Sequence, residues 1–445
     1  MMRQFFFILI FGLISIFFYR SAFSQNTDKD LIDLDLDLDF KIEEFEKKQY
    51  SLNGDIKIKE TLRFLDRDSL LFKQKYLDNY TETTSWQTDL DLTIEGQYQK
   101  DIIKLYGRFK GLFYYNNDEN FESEGKAQEI YISMQPSSAW AFDAGKKVHK
   151  WGKGYAFSPA AFFARPKDLD NPDATLEGYY SLSADFIKSY EGIVKTTAIT
   201  PVLMPVNRDL NHEIGSKDEV IWGAKFYFFT FDTDIDFMFL ISENMDNNFG
   251  FDFSKNLSTS FEIHGDAAIV KDYNQNIIDE YGNISESEYT AFNFLLGVRY
   301  LSNQDTTYIL EYYRNGQGYS AEEYENYLKF IESGYNQYLS TSGKAAILKS
   351  KTMATWYNQQ AVMKDYLYLK ISQKEPFDIL YFVPGITFIY NLNDQSASIT
   401  PYMTYSPLTN LTLEIKTGFL IGGDKTEYGE KINKAKIELS MQYYF

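Results

Sequence analysis

Apolar and polar residues alternate along most of this chain. In "NFGFDFS", Phe249, Phe251 and Phe253 share one face, while Gly250, Asp252 and Ser254 share the other. In "TDIDFMFLI", Ile235, Phe237, Phe239 and Ile241 oppose Asp234, Asp236, Met238 and Leu240. In "NLTLEIKTGFLI", Leu411, Leu413, Ile415, Phe419 and Ile421 oppose Thr412, Glu414, Lys416 and Gly418. A period of two marks strands, because successive strand side chains point to opposite faces. The pattern predicts eighteen strands, over 50–64, 85–99, 102–116, 126–136, 139–153, 178–190, 193–203, 220–231, 234–243, 247–257, 260–273, 288–302, 305–316, 364–374, 377–390, 395–406, 409–421 and 434–445.

The connections have their own rhythm. Links after odd-numbered segments are mostly long: 65–84, 117–125, 154–177, 204–219, 274–287, 317–363 and 422–433. Links after even-numbered segments are short: "QKD", "PSSA", "DTD", "KNLST", "SNQD", "KEPF" and "SPLTN". An up-and-down barrel gives this alternation, with turns at one rim, loops at the other and an even strand count. A soluble sandwich would have to bury every apolar row against a second sheet. A barrel in lipid needs no such core, and closure leaves no unpaired backbone edge in hydrocarbon. Segments of about 9 to 11 residues suffice to cross a bilayer. The expected fold is all-β: a transmembrane up-and-down antiparallel β-barrel of about eighteen strands, with sixteen also compatible and a short helix in one long loop.

The last segment, "KIELSMQYYF", keeps the alternation to the final residue. Ile437, Leu439, Met441, Tyr443 and Phe445 should face lipid, and Lys436, Glu438, Ser440 and Gln442 the pore. This strand should pair with the first at the barrel seam.

Composition agrees with that picture. Aromatic residues make up 18% of the 445 residues, with 36 Tyr and 37 Phe against 5 Trp. Tyrosine suits positions with one apolar and one wet side. Mean hydropathy is −0.37, so the aromatics are spread among polar residues. The absence of cysteine excludes disulfides and thiolate metal sites. Residues 1–24 form an expected signal peptide: Arg3, an apolar run from Phe5 to Tyr19, then Ala22-Phe23-Ser24 before Gln25. No later stretch could form a transmembrane helix. Cleavage would remove Arg3 and Arg20 and no acid, taking the net charge from −19 to −21, which argues against a nucleic-acid partner. Residues 25–48 form an acidic periplasmic arm containing "DLIDLDLDLDF" (Asp30 to Phe40), either a loose tail or a plug segment. The barrel is expected over 49–445.

The terminal alternation through Leu439, Met441, Tyr443 and Phe445 resembles the C-terminal signal read by the barrel-assembly machinery, without the glycine usual early in that signal. From the arm onward the chain resembles outer-membrane porin-type barrels of Gram-negative bacteria. "DAGKKVHKWGKGYAFSP", Asp143 to Pro159, is similar to the glycine-basic-Trp-Gly strand of porin-like barrels, the alginate-export-like families among them. The resemblance implies an outer-membrane location, contact with membrane lipid and lipopolysaccharide, assembly by that machinery and no cofactor. A homo-oligomer is compatible with it.

Candidate chemistry lies on the inward parity. Asp89, Asp91, Thr93 and Glu95 should face Lys104, Tyr106, Arg108 and Lys110 across a tight turn, with Asp91 near Lys110 and Glu95 within diagonal reach of Arg108. Such charges either brace a hydrated wall or set a transverse field for a solute. The stretch from Lys146 to Lys167 holds Lys146, Lys147, His149, Lys150, Lys153, Arg165 and Lys167, with no acid. With Trp151, Tyr155, Phe157, Phe162 and Phe163 it reads as a structured loop at the mouth, suited to anionic or sugar-like solutes; the plainer alternative is a loop bound to lipopolysaccharide phosphates or acidic neighbours. Lys146 falls on the lipid-facing parity, which implies a bulge or an early strand end. Asp168, Asp170 and Asp173 offer oxygens at a spacing suited to calcium, but no EF-hand glycine or distal Glu accompanies them, and a solvated turn is the plainer reading.

In 317–363, Ser320 and Glu323 make a capping box, and Tyr324, Tyr327, Leu328, Ile331 and Tyr335 recur at helical spacing. This predicts an amphipathic helix over or inside the pore, or a surface partner helix. His264, between Glu262 and Asp266 with Ser260 nearby, reads as a wall residue rather than as part of a catalytic triad, so an enzyme is not expected. The reading that follows is a passive outer-membrane channel for small hydrophilic solutes. The alternative is a structural or export component whose barrel scaffolds a partner or a secreted polymer.

Overall fold

The computed structural model describes residues 49–77, 79–116, 120–215 and 217–445; the expected signal peptide and acidic arm lie outside them. Eighteen strands form one closed antiparallel sheet. The first nine are β1 (Tyr50–Leu65), β2 (Thr84–Lys100), β3 (Ile103–Asn116), β4 (Phe121–Ser137), β5 (Trp140–Lys147), β6 (Tyr179–Ser189), β7 (Val194–Val206), β8 (Glu219–Thr230) and β9 (Thr233–Ile241). The others are β10 (Asn248–Ser258), β11 (Phe261–Ile278), β12 (Ile284–Leu301), β13 (Thr306–Arg314), β14 (Asp365–Gln373), β15 (Phe382–Asn391), β16 (Ala397–Leu408), β17 (Leu411–Ile421) and β18 (Asn433–Tyr444). Each strand pairs with its sequence neighbours, and β1 pairs with both β2 and β18.

The seam is in the expected register. Ile58 lies opposite Met441 and Leu62 opposite Ile437. The N–H of Gly54 donates to the Phe445 carbonyl and that of Phe445 to the Gly54 carbonyl, each at 2.9 Å. Large apolar side chains stand bare on the outer parity, Trp222 at 58% exposure and Leu296 at 56%. In water such a belt would be a liability; in a bilayer it is the solvent-matched face. The turn after β8 shows how the short rim is made. Phe231 and Asp232 both take left-handed backbone angles, φ 51° and 52°, as a two-residue turn that follows strand twist requires.

Five boundaries differ from the sequence pattern by more than three residues. β4 starts at Phe121, and β11 and β12 run to Ile278 and from Ile284, so the links 117–125 and 274–287 are shorter than expected. Their strand ends carry Glu122, Glu124, Glu286 and Glu288, because strands rising above the bilayer need no apolar face. β15 starts at Phe382 instead of 377, since Phe377, Asp378 and Tyr381 have φ of 61°, 58° and 59°, outside the strand region. β5 ends at Lys147 instead of 153, the early end implied by Lys146, whose amine reaches Glu177 at 2.5 Å.

Three helices occupy the long-loop rim where one was expected: α1 (Leu70–Tyr76), α2 (Ala321–Thr341) and α3 (Ala345–Met353). α2 starts at the expected box: Ser320 Oγ accepts the Glu323 N–H at 3.2 Å, and Glu323 accepts the Ser320 N–H at 2.7 Å. Its face of Tyr324, Tyr327, Leu328 and Ile331 packs with Leu70 of α1, Ile347 of α3, and Tyr366, Tyr368 and Ile389 from β14 and β15. Tyr357 stacks between Tyr319 and Tyr327, at 4.3 and 4.1 Å. The helix is therefore seated against inward wall residues. A second apolar cluster sits on β7–β9, where Val202, Met204, Ile221, Met238 and Leu240 are covered by Trp151, Ala160 and Phe163 of the β5–β6 link. Apolar residues facing a wet lumen need such a cover.

Candidate functional site

The β5–β6 link, 148–178, leaves the wall and folds across the lumen. Its backbone is gripped by carboxylates from the wall. The Gly152 N–H donates to Asp252 Oδ2 at 3.2 Å, and the Ala160 N–H to Asp266 Oδ1 at 2.9 Å. Glu311 accepts the Tyr155 N–H and, at 2.9 Å, the Ala156 N–H. Lys153 Nζ lies 3.3 Å from Asp236 Oδ2. These acids come from β9, β10, β11 and β13, and all are buried. Gly152 has φ +83°, and a Cβ there would lie 2.6 Å from Asp266 Oδ2, so the motif glycine is needed for both the turn and the close carboxylate.

The far end of the link is tied to the opposite wall. Tyr155 Oη donates to Asp173 Oδ2 at 2.6 Å, and Lys370 Nζ of β14 lies 3.1 Å from the same carboxylate. Lys436 of β18 reaches Asp170 Oδ2 at 2.7 Å, and Lys416 of β17 its carbonyl at 3.2 Å. Burial works against the Asp173 carboxylate, but the Tyr155 hydroxyl and Lys370 hold it below its ordinary pKa. Asp168 accepts the Asp170 N–H at 2.9 Å. Asp170 and Asp173 thus each serve a lysine, and among the described residues no group of three or more His, Asp or Glu is disposed to hold a metal ion.

Between this bridge and the wall of β3–β8 lies a cavity of about 1120 Å³. Its charged lining comprises Arg108, Lys147, Lys150, Arg165, Lys167 and Lys225, against Glu129, Asp173 and Asp185. Tyr106 and Tyr131 form a platform there, with ring centroids 5.1 Å apart. Lys147 Nζ sits 5.4 Å from the Tyr131 ring, and the Arg108 guanidinium 6.0 Å from that of Tyr106. Gln317, Gln359 and Gln360 close the mouth side.

Of the residues singled out in the sequence, Arg108, Lys147, His149, Lys150 and Arg165 line this cavity. Asp91, Glu95, Lys104, Lys110 and Lys153 do not. Asp91 pairs with Lys110 at 3.0 Å. Glu95 stands directly opposite Arg108 and accepts its Nε–H at 2.9 Å, while Lys110 faces Thr93. The two-residue turn falls at 101–102, one residue later than expected, which makes Glu95 and Arg108 the direct pair and Asp91 and Lys110 the diagonal one. Lys104 lies 5.5 Å from the Tyr106 ring. Much of the basic charge is already matched: Lys147 bonds Asp143, and Arg165 bonds Glu213 and lies 3.4 Å from Glu177. Burial raises the Glu177 pKa, but the Lys146 hydrogen bond and Arg165 hold it below the ordinary value. Lys150 is exposed and has no carboxylate within 4.0 Å among the described residues. His149 is buried and bonds Ser181 Oγ at 2.8 Å. Burial, then Lys147, pushes its pKa down to about 4.

The anchoring acids Asp236, Asp252, Asp266 and Glu311 lie outside the site residues expected from the sequence. Three of them carried a signal: the acids on inward parity in "DID", "FDF" and "HGD" have no Lys or Arg on the same parity of their strands. His264 Nε2 lies 3.0 Å from Glu311 Oε1, so it braces an anchor, and the Ser260 hydroxyl is paired with Ser258 in its own turn.

No family model matches this chain, and neither does any curated protein. Among solved structures, OpdQ of Pseudomonas aeruginosa is similar at 10% identity and a TM-score of 0.51, covering 89% of this chain and 99% of OpdQ. OccAB3 of Acinetobacter baumannii is similar at 10% identity, TM-score 0.49, over 89% and 99%. A Rh. blastica porin mutant is similar at 10% identity, TM-score 0.43, over 89% and 100%. The likeness to OpdQ carries the fold alone, a closed eighteen-stranded antiparallel barrel.

Proposed function

We propose that this protein is an outer-membrane channel through which small hydrophilic solutes pass, with a preference for anionic or sugar-like ones. The observation that carries the reading is the cavity of about 1120 Å³ beside the bridge, polar and richer in cations than in carboxylates. In a chain of net charge −19, that local excess is the feature most unlike the rest of the molecule. The tyrosine pair offers flat faces to a sugar ring, and Arg108, Lys147, Lys150 and Arg165 attract negative charge. No chemical step is involved. Selectivity comes from width and field.

Single-channel recording in planar bilayers tests this. An ohmic conductance with anion preference is expected. Replacing Lys147, Lys150 and Arg165 together with Gln removes three cations and strips partners from Asp143 and Glu213, so the reversal potential in a salt gradient should shift toward cation preference. An unchanged reversal potential would refute the constriction role. One observation favours the second reading, a structural or export scaffold: α2, α3 and the tyrosine stack fill the mouth above β11–β15. A barrel that never conducts would support it.

A further inference from the structure

The acids beneath the bridge outnumber the groups that bind them. Asp252 on β10 is the direct register partner of both Asp236 on β9 and Asp266 on β11. Directly opposed residues have Cα atoms about 4.5–5.5 Å apart, and like charges so placed repel. All three side chains are buried, at 1%, 0% and 2% exposure for Asp236, Asp252 and Asp266. Each keeps one buried oxygen without a hydrogen-bond partner: Asp236 Oδ1, Asp252 Oδ1 and Asp266 Oδ2.

The charged groups that face this row come from every side. Lys153 in the bridge lies 3.3 Å from Asp236 Oδ2, and Lys225 on β8 lies 3.8 Å from Asp236 Oδ1. Lys167 in the bridge is engaged by the carbonyls of Gly154 and Tyr155, at 2.6 and 3.0 Å. Asp234 accepts the Tyr227 hydroxyl at 2.5 Å, and Glu311 is paired with His264, which also lies 3.6 Å from Glu262. Among the described residues no cation comes within 4.0 Å of Asp252 or Asp266. A metal ion does not fit either. A proton does. Carried by Asp252, it removes the central charge of the row and turns an acceptor without a partner into a donor toward a neighbouring carboxylate.

We propose that Asp252 and Asp266 hold a shared proton at neutral pH, and that this proton helps fasten the bridge to the wall. Its loss would place adjacent charges in a buried row and loosen the N–H contacts of Gly152 and Ala160. The proton site stands whether or not solutes pass, and its first test does not need conduction. Infrared difference spectra of the reconstituted protein, neutral against alkaline, should show a carboxylic-acid band lost as carboxylate bands grow. In Asp252→Asn the loss should vanish. The absence of such a band in the unaltered protein, or its persistence in the variant, overturns the proposal. Asp266→Asn serves as a second variant where Asp252→Asn does not assemble. Conductance is the second readout: it should rise at alkaline pH in the unaltered protein and stay level in Asp252→Asn, whose amide donates and cannot ionise. A titrating band with a flat conductance overturns the fastening role while leaving the channel reading intact.

Discussion

At the scale of single residues, two positions in the bridge decide how it is held. His149 is buried against Ser181, and its pKa is down at about 4 against 6.5 for an ordinary imidazole. A base depressed in the folded state contributes stability above its unfolded pKa and loses it as pH falls. The window here is about pH 6.5 to 4, and the full shift corresponds to roughly 3 kcal/mol. Protease sensitivity of the bridge should therefore rise as pH drops through that window. His149→Gln, which keeps a partner for Ser181 but cannot titrate, should abolish the slope. Gly152 is the second position. Ala there must hold a left-handed backbone, at about 1–3 kcal/mol, and push its Cβ toward Asp266. The expected outcome is a detached near end of the bridge, read as a larger and noisier single-channel conductance with barrel assembly unchanged.

At the scale of elements, period-two alternation made the strands legible wherever a strand separates lipid from water. It failed where that contrast ends. The tops of β4, β11 and β12 stand in water on both faces, so their acids looked like loop. The bridge failed in the opposite way: "KKVHKWGKGYA" continues the alternation of β5 in sequence, yet the chain leaves the wall at Val148. Strand propensity there loses to several backbone N–H bonds on buried carboxylates and to an apolar cluster on β7–β9. The capping box at Ser320 is a local signal and named α2 correctly. Where α2 sits was not legible, because its Tyr–Leu–Ile face suits a partner protein as well as the barrel mouth.

At the scale of the whole molecule, closure through β1 and β18 is what makes the barrel a membrane structure. Phe445 lies over Gly54, where a Cβ would come within 2.5 Å of its ring, and it is more than half exposed on the outer side. Its backbone bonds close the seam whatever its side chain. Phe445→Ala should therefore leave the denaturant midpoint of the formed barrel nearly unchanged, within about 0.5 kcal/mol as for an exposed position. Delivery should suffer instead, seen as slower appearance of the heat-modifiable form during insertion into membranes. A large drop in midpoint with normal insertion would make Phe445 a structural residue and not an assembly signal.

The sequence by itself determined the strands, their alternation of long and short links and the face each shows to lipid. Those properties are set by neighbours two residues apart and by a solvent that punishes every unpaired backbone group. Only the tertiary structure decided which half of the lumen is filled, which cations remain free to meet a solute, and which acids hold the bridge. Those depend on side chains brought together from strands far apart in the chain, and no local period records that meeting.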